Sequence, residues 1–414
     1  MILLILVKTK SLVNKAQLFF YFLPTVFAFC LPFGGFILSY IVIAWLFFSL
    51  FNIKYQKLKQ GIKSKALIVS FCFFVLTLLS SIIKGGQEAS SSIEVKLSFA
   101  IFPFLFFCFD YPIVIIKRVL MAFVSGSFFA CLFLLIRGIY FAINNKPEYL
   151  VYTNFSYFIH TAYFSMYLCV AILILIIYYP IWFKNSLPLL KFSKLMLLVF
   201  VICIFLCSSK IGIVSLLFCA VCLFINKYKN RLTYLRMILF AIGFTLSLIV
   251  IVKFVPSVSE RFNNLVSLNL SHLNKQSTES SEVRVLIWQQ CITIIKNNWL
   301  LGVGVGNANP ALMASYKANG LTGAYSHNLN AHNQFFQTTI GLGFVGLSLL
   351  LILIFMGIIK TIKTNFILFV TSLILLFNFL TESMLQTAAG VLFFCFFTNL
   401  FFNYTTKKLN EKMD

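Results

Sequence analysis

A histidine and an amide at the start of a long apolar run are the residues best suited to chemistry in this chain. His332 and Asn333 open the string HNQFFQTTIGLGFVGLSLLLILIF, in which Gly343 and Gly346 follow. A neutral imidazole can take a proton from a hydroxyl group near neutral pH. Only 10% of the residues are charged, so few other side chains could carry a reaction. The pattern predicts a catalytic histidine at the mouth of a membrane helix.

Four other ionisable side chains are predicted at the same membrane face as His332: Arg284, Lys210, Arg137 and Glu382. Charges in or near lipid are costly and usually have a function. Arginine can hold a diphosphate with a two-pronged fork, and lysine can hold it as a point charge. A lipid-linked diphosphate becomes a good leaving group when its developing charge is neutralised. The three cations are therefore candidate ligands of such a diphosphate, with His332 as the base.

Each of these residues also has a structural explanation. Lys210 and Arg137 could reach the lipid headgroups with their long side chains. Arg284 could be a solvated residue of its helix, and Glu382 could form a structural ion pair with one of the cations. His332 could begin a helix without taking part in chemistry. The coincidence of all five at one membrane face favours the functional interpretation.

No metal and no cofactor are expected at this site. His327 and His332 are five residues apart, which is not the helical spacing of a zinc pair, and no carboxylate is near them in sequence. The glycine-rich string GVGVG at 302–306 follows no predicted strand, which disfavours a nucleotide loop. The eleven cysteines lie mostly in apolar runs without a CxxC pair, so they are interpreted as packing residues.

The elements that must position these residues are membrane helices. The chain is 61% hydrophobic, and apolar runs of about 18 to 25 residues recur along it. This predicts an all-α integral membrane protein with about twelve transmembrane helices and one large periplasmic loop. The predicted spans are 17–33, 35–52, 66–83, 97–116, 119–143, 161–181, 195–209, 211–225, 237–256, 334–359, 366–384 and 388–404.

The basic residues predict the orientation of these spans. They concentrate in alternate loops, such as Lys54–Lys65 and Lys227–Arg236, and basic loops stay on the cytoplasmic side. Both termini are therefore expected on the cytoplasmic side of the membrane. The net charge of +23 fits anionic lipid headgroups rather than nucleic acid. Residues 1–15 do not have the pattern of a signal peptide.

Three regions follow from the span pattern. Residues 1–256 hold the first nine predicted spans, residues 257–333 form the periplasmic loop, and residues 334–414 hold the last three spans and a cytoplasmic tail. Long ordered loops on a helical scaffold commonly carry function. Within the loop, apolar residues recur at helical spacing and predict an amphipathic helix: Val283, Leu286, Ile287, Cys291, Ile294 and Ile295.

The string H-N-x9-G-x-x-G, the twelve predicted spans and the loop after the ninth span together resemble the O-antigen ligase/polymerase superfamily of membrane glycosyltransferases. Arg284 with Trp288, followed by LLGVGVGN, resembles the arginine-bearing loop helix of that superfamily. His160 in IHTAYFSMYL resembles the histidine-proline-tyrosine start of its sixth span, although Thr161 replaces the proline. The string TESML around Glu382 resembles its acidic patch. Lys210 lies in a turn where relatives often carry arginine.

The resemblance implies transfer of a glycan from undecaprenyl diphosphate to a hydroxyl acceptor, with inversion at the anomeric carbon. Arg284 and Lys210 would bind the diphosphate, and His332 would orient or deprotonate the acceptor. Arg137 and His160 are second-rank candidates. Ligation of O-antigen to lipid A-core, a step of lipopolysaccharide biosynthesis, is favoured over polymerisation with a second lipid-linked glycan and over transfer to a protein hydroxyl. A lipid-linked glycan flippase is the alternative of a different class, although no internal repeat is evident.

Overall fold

The computed structural model describes residues 2–228, 275–276, 278, 281–361 and 365–410, and the predicted span 237–256 lies outside the described residues. Within these ranges the regular structure is helical throughout. The α-helices are α1 (Ile2–Cys30), α2 (Ile37–Ser49), α3 (Tyr55–Ile62), α4 (Lys65–Lys84), α5 (Ala89–Lys96), α6 (Ser98–Phe107), α7 (Ile113–Ile143), α8 (Tyr152–Phe155), α9 (Thr161–Trp182), α10 (Leu187–Leu206), α11 (Lys210–Tyr228), α12 (Ser281–Asn297), α13 (Ala308–Ala318), α14 (Thr322–Ser326), α15 (Gln334–Thr361), α16 (Phe366–Thr381) and α17 (Ala388–Asn410). Short 3-10 turns lie at Leu31–Phe33, Leu50–Asn52, Pro147–Leu150, Val305–Asn307 and Met384–Gln386.

The helices have the lengths and surfaces of an integral membrane protein, as predicted. In the described ranges, eight helical segments are long and apolar enough to cross a bilayer, and three shorter apolar helices accompany them. Large apolar side chains remain exposed on their outer surfaces, including Phe36 at 88% and Ile83 at 76%. In a soluble protein such a surface would aggregate, whereas in a bilayer it faces acyl chains. The all-α membrane fold is therefore confirmed.

The predicted span at 97–116 was wrong in its boundaries. Helix α6 ends at Phe107, and α7 begins at Ile113 after the cap residue Pro112. Proline disfavours a helical conformation in the residue before it, so the chain turns at this point. Asp110 lies in the turn, where its carboxylate is 3.5 Å from Nζ of Lys57. The end of the predicted fourth span thus belongs to α7.

One core fills most of the bundle, and aromatic rings dominate its centre. The indole of Trp45 is fully buried and meets Phe106 edge-on at a centroid distance of 5.5 Å. Phe27 lies 4.9 Å from Phe396, which joins the first helix to the last. Edge-to-face and tilted ring pairs add to the energy of the buried area. These contacts give the site a rigid scaffold.

Helix α15 bends where it passes Gly343. Gly343 has φ +65° and ψ −165°, values outside the helical region. Gly357 of α15 packs on Ser372 of α16, and Asn333 contacts Leu380 of α16. At about 1.5 Å per helical residue, 334–357 would extend about 35 Å but 372–380 only about 12 Å. Both contacts can form only because the first nine residues of α15 bend over the end of α16.

Residues 281–333 pack as a helical unit on this end of the bundle, which we call the loop end. The predicted amphipathic helix is confirmed as α12, with Val283, Leu286, Ile287 and Cys291 buried. These side chains share a core with α13, α14 and the start of α15. Described helices that run to the loop end include α4, α7, α10 and α16, and α9, α11, α15 and α17 start there. Their ends therefore surround one surface.

Candidate functional site

Helix α12 directs two side chains from one face toward the start of α15. Arg284 and Trp288 are four residues apart, so they lie one above the other on the helix. Nη2 of Arg284 donates to Oε1 of Glu382 at 3.1 Å. The indole nitrogen of Trp288 donates to the carbonyl of Ala331 at 3.0 Å. One helix thus contacts both the carboxylate and the residue that precedes His332.

Glu382 connects Arg284 with His332. The residue caps the C-terminus of α16, and its side chain is only 12% exposed. Its Oε2 lies 3.7 Å from Nδ1 of His332, a distance suited to an ion pair and too long for a hydrogen bond. The two carboxylate oxygens therefore face two different partners. We call this arrangement the Arg284–Glu382–His332 triad.

The backbone of His332 is strained. Its φ is +46°, in the left-handed region that residues with a Cβ rarely adopt, at a cost of roughly 1 to 2 kcal/mol. The backbone N–H of His332 donates to Oδ1 of Asn330 at 2.9 Å, which supports this conformation. Nδ1 is buried, although 23% of the side chain remains exposed, so the exposure belongs to its other atoms. Strain of this kind is concentrated at functional sites.

Asn333 starts α15 and ties it to α16. Its Oδ1 accepts from the backbone N–H groups of Phe335 and Phe336, at 2.9 and 3.1 Å, as an N-cap does. Its Nδ2 donates to the carbonyl of Leu380 at 3.1 Å, and its own N–H donates to Oγ of Ser383 at 3.3 Å. Asn333 is thus hydrogen-bonded to Leu380 and Ser383, which lie before and after Glu382 in the chain.

Gln334 and Gln337 extend these ties, and neither was singled out from the sequence. Oε1 of the fully buried Gln334 accepts from the N–H of Leu385 at 2.6 Å. Oε1 of Gln337 accepts from the N–H of Ala331 at 3.0 Å. Polar side chains at 0 to 3% exposure inside an apolar fold need such partners. Both glutamines follow His332 closely in an apolar run, and this could have marked them as site residues from the sequence.

The glycine strings of the sequence meet at the bend in α15. In an unbroken helix, the N–H of Phe344 would donate to the carbonyl of Ile340. Here it donates to Trp299 at 2.8 Å, and the Ile340 carbonyl accepts from Val303 at 2.7 Å. A Cβ on Gly343 would collide with the backbone of Leu300. The GVGVG string is therefore a docking turn for a broken helix.

Gly302 and Gly346 complete this packing. Gly302 has φ +64°, and a Cβ there would collide with the Ile340 carbonyl. Gly346 packs against the side chain of Leu342 across the break. Gly343 and Gly346, the two glycines of the H-N-x9-G-x-x-G string, are thus positions where close packing leaves no room for a side chain.

Three polar residues near the end of α4, which we call the polar stripe, anchor the docking turn. Ser80 and Lys84 lie in the last turns of α4, Glu88 directly precedes α5, and none of the three was singled out from the sequence. Oγ of Ser80 accepts from Val305 at 3.2 Å, and Nζ of Lys84 donates to the carbonyl of Leu301 at 3.2 Å. The Glu88 carboxylate accepts from Nδ2 of Asn309 at 2.9 and 3.1 Å.

A series of side-chain hydrogen bonds connects Glu88 of this stripe to the backbone next to His332. Oδ1 of Asn309 accepts from Nε2 of Gln337 at 3.0 Å, and Gln337 in turn holds the N–H of Ala331. Lys96, only 3% exposed, donates to Oε1 of Gln386 at 3.4 Å, close after Glu382 in the chain. The backbone on both sides of the triad is thereby fixed by buried polar contacts.

Lys210 and His160 begin neighbouring helices at the loop end. Lys210 is the first residue of α11, and Ser209 caps that helix by accepting from the N–H of Gly212 at 3.3 Å. Gly212 packs directly on Ser165 of α9, little more than one turn into that helix from His160. Both side chains are exposed at this surface. Lys210, for which the sequence predicted a position on the same face as His332, thus lies with His160 at the loop end.

Arg137 contacts the loop that follows α7. Its Nη1 donates to the carbonyl of Asn154 at 2.7 Å. Its guanidinium carbon lies 5.2, 5.0 and 4.7 Å from the ring centroids of Phe141, Tyr149 and Tyr157. The four contacts made by this side chain in the described ranges are thus structural in kind.

The groups around Glu382 keep it ionised despite its burial. Burial alone would raise the pKa of this carboxyl group, but the neighbouring His332 ring, the Arg284 guanidinium and the nearby His160 outweigh it. The resulting pKa lies below the usual value of glutamate. At neutral pH the triad therefore contains a carboxylate between a guanidinium and an imidazole. Such a carboxylate can fix the orientation of the imidazole and stabilise its protonated form.

Two comparisons with known proteins bear on this arrangement. No curated protein matches the chain. Residues 195–351 match the family model Wzy_C, described as O-antigen ligase. The matched segment contains Lys210, Arg284, His332 and both glycines of the motif, whereas Arg137, His160 and Glu382 lie outside it. Residues 195–351 are therefore similar to O-antigen ligases, and the match supports the superfamily that the sequence motif predicted.

Proposed function

We propose that this protein transfers a glycan from undecaprenyl diphosphate to a hydroxyl acceptor, and that the acceptor is lipid A-core in lipopolysaccharide biosynthesis. The observation that carries the proposal is the Arg284–Glu382–His332 triad, two of whose members lie in the segment that matches O-antigen ligases. The match supports a role in polysaccharide biosynthesis. The donor, the acceptor and the residue roles are the substance of the proposal.

His332 is the proposed base. With Nδ1 buried and facing the Glu382 carboxylate, the tautomer that carries its proton on Nδ1 is favoured. Nε2 then has a lone pair for the proton of the acceptor hydroxyl. Glu382 stabilises the imidazolium that forms, as a carboxylate behind a catalytic histidine does. Exposure of 23% leaves the ring accessible to a substrate.

Arg284 and Lys210 are the proposed ligands of the diphosphate. In the described ranges the guanidinium makes its hydrogen bond through Nη2 to Glu382, and its other N–H groups can bind phosphate oxygens. Arg284 is one-third exposed, which suits a residue that must reach a ligand. Lys210 adds a point charge at the loop end, beside the first N–H groups of α11. His160 adds a second imidazole near the carboxylate.

The proposed reaction is a single displacement. The acceptor oxygen forms a bond to the anomeric carbon while the bond from that carbon to the diphosphate oxygen breaks. The electron pair of the broken bond leaves with undecaprenyl diphosphate, and the cations neutralise its charge. The hydroxyl proton goes to Nε2 of His332. Attack from the face opposite the leaving group inverts the anomeric configuration.

The proposal includes an orientation and a domain division. Basic residues of the loops opposite the loop end, such as Lys57 and Lys227, support a cytoplasmic location for that side of an inner membrane. Both termini would then be cytoplasmic and the triad periplasmic. Residues 1–256 and 334–414 would be the membrane-embedded parts, and residues 257–333 the loop that contributes Arg284 and His332.

Reconstitution of the purified protein in proteoliposomes tests the proposal. Undecaprenyl-diphosphate-linked oligosaccharide is supplied with or without lipid A-core, and the products are separated on a gel. The proposal predicts transfer only when lipid A-core is present. Lengthening of the lipid-linked glycan without it would instead identify a polymerase. Absence of transfer with verified substrates would contradict glycosyl transfer and favour flipping of the donor.

The same assay tests whether the reaction needs a metal. If the cations of the protein neutralise the leaving group, pretreatment with EDTA leaves the initial rate unchanged. A loss that added magnesium or manganese restores would contradict this part of the proposal. The control is an assay with EDTA and excess metal added together, which separates chelation from damage to the liposomes.

A further inference from the structure

Arg137 lies at the surface of the bundle rather than deep within the bilayer. Helix α7 has 31 residues and is therefore about 46 Å long, whereas the hydrocarbon layer is about 30 Å thick. Arg137 is 24 residues beyond Ile113, or about 36 Å along the helix. Its guanidinium is thus close to the level at which residues 144–160, called the 144–160 loop, connect α7 to α9.

The guanidinium joins three separate points of the 144–160 loop. Tyr149 comes from its 3-10 turn, the Asn154 carbonyl from α8, and Tyr157 from the last extended part. The two tyrosine rings lie within 5.0 Å of the guanidinium carbon, and the Asn154 carbonyl accepts from Nη1 at 2.7 Å. Contacts of a guanidinium with ring faces in this range are attractive. Arg137 therefore fixes the path of the loop.

The fixed loop ends directly at His160. Oγ of Ser156 donates to the carbonyl of Ile159 at 2.6 Å, which closes the last turn before the histidine. Phe158 packs between Phe33 and Phe133, at centroid distances of 5.2 and 5.1 Å. His160 then precedes α9, and Tyr167 of that helix donates to the carbonyl of Ala389 at 2.7 Å, which ties α9 to the segment that follows Glu382. The proximity of His160 also lowers the pKa of Glu382. The position of His160 thus depends on the loop that Arg137 holds.

We propose that Arg137 is a positioning residue for His160, and that it does not bind the donor diphosphate. This inference rests on the proposed function, because it treats His160 as the second imidazole near the carboxylate of the Arg284–Glu382–His332 triad. A bidentate phosphate contact needs two parallel N–H groups of the guanidinium edge. The feature that sets Arg137 apart is its aromatic surroundings: the rings of Phe141, Tyr149 and Tyr157 lie within 5.2 Å of its guanidinium carbon and fix the orientation of the plane on α7 and the loop. Lysine can keep the charge but cannot reproduce this geometry.

The test compares Arg137→Lys, His160→Ala and the double variant with wild type in proteoliposomes. The expected result for Arg137→Lys is a several-fold loss of kcat with the KM for undecaprenyl-diphosphate-linked oligosaccharide within about twofold of wild type. The double variant should be no slower than His160→Ala, because both changes act on one group. Arg118→Lys, an exposed site at the other end of α7, is the matched control.

Hydrogen exchange supplies a readout that needs no activity. Arg137→Lys should accelerate amide exchange in residues 147–160 and leave α12 and α15 as protected as in wild type. This measurement stands even if the wild type transfers no glycan, so failure of the proposed function and failure of the inference are distinguishable. A tenfold rise in donor KM with unchanged exchange would make Arg137 a diphosphate ligand. Unchanged exchange and unchanged kinetics would equally overturn the inference.

Discussion

Glu382 uses its two oxygens on two different partners: Oε1 lies 3.1 Å from Nη2 of Arg284, and Oε2 lies 3.7 Å from Nδ1 of His332. The arginine comes from the loop helix α12 and the glutamate from the end of α16. One carboxylate therefore couples the loop to the membrane bundle, and it orients the proposed base. Its loss should affect both the rate of transfer and the docking of α12.

Replacement of Glu382 separates its charge from its shape. Glu382→Gln keeps the size of the side chain but removes the charge that stabilises the imidazolium of His332. We expect kcat to fall on the order of 10²-fold, as for loss of a group that supports proton transfer. Glu382→Asp keeps the charge and should retain more activity than Glu382→Gln. Equal activity of wild type and Glu382→Gln in the proteoliposome assay would remove Glu382 from the mechanism.

The stability contributed by Glu382 should depend on pH in one direction. Its pKa is lowered in the folded protein, so the unfolded chain binds the proton more tightly. The contribution is fully present above the ordinary glutamate pKa of about 4.3 and is lost as pH falls through the folded value. The difference in free energy of unfolding between wild type and Glu382→Gln should therefore shrink as the pH is lowered through the folded pKa of Glu382. A difference that grows as pH falls would refute this assignment.

Asn333 offers a pair of substitutions that divides its two tasks. Asn333→Ala removes the cap of α15 and the tie to Leu380, and should lower the free energy of unfolding by about 1 to 2 kcal/mol. Asn333→Ser keeps a capping oxygen without adding a charge and loses the donation from Nδ2 to Leu380. We expect Asn333→Ser to be the more stable of the two, while both lose activity because His332 shifts. Melting in detergent by intrinsic fluorescence measures the first quantity. Equal melting temperatures would show that the cap contributes nothing.

Gly343 should tolerate no side chain. Its left-handed φ alone costs about 1 to 2 kcal/mol for a residue with a Cβ, and the collision with Leu300 adds to that cost. Gly343→Ala should therefore destabilise the protein by more than the matched control Gly35→Ala. Gly35 also has a positive φ, at +81°, but a Cβ at that position would meet nothing within 4 Å. If Gly343→Ala melts no lower than Gly35→Ala, the docking turn is not rigid.

Membrane helices and the main site residues could be predicted because their signals are local. Apolar runs locate the spans, helical periodicity locates α12, and the His332–Gly346 string is contiguous. The bend at Gly343 could not be predicted, since it depends on hydrogen bonds from the distant turn at 299–304. The hydrogen bonds that connect Glu88 to Gln337 through Asn309 could not be predicted either, because Glu88 and Gln337 lie far apart in the chain. Arg137 was a candidate diphosphate ligand because of its charge alone, and charge does not reveal the aromatic rings that surround its guanidinium.

The most direct test of the account is the initial rate of glycan transfer by His332→Ala in proteoliposomes, measured against wild type and His327→Ala. His327 is an exposed histidine five residues away that contacts Ser326 and Gly323 rather than Glu382. We predict that His332→Ala inserts and melts like the wild type but loses transfer by at least about 10²-fold, while His327→Ala keeps it. Transfer by His332→Ala at the rate of wild type would contradict the proposed role of the triad.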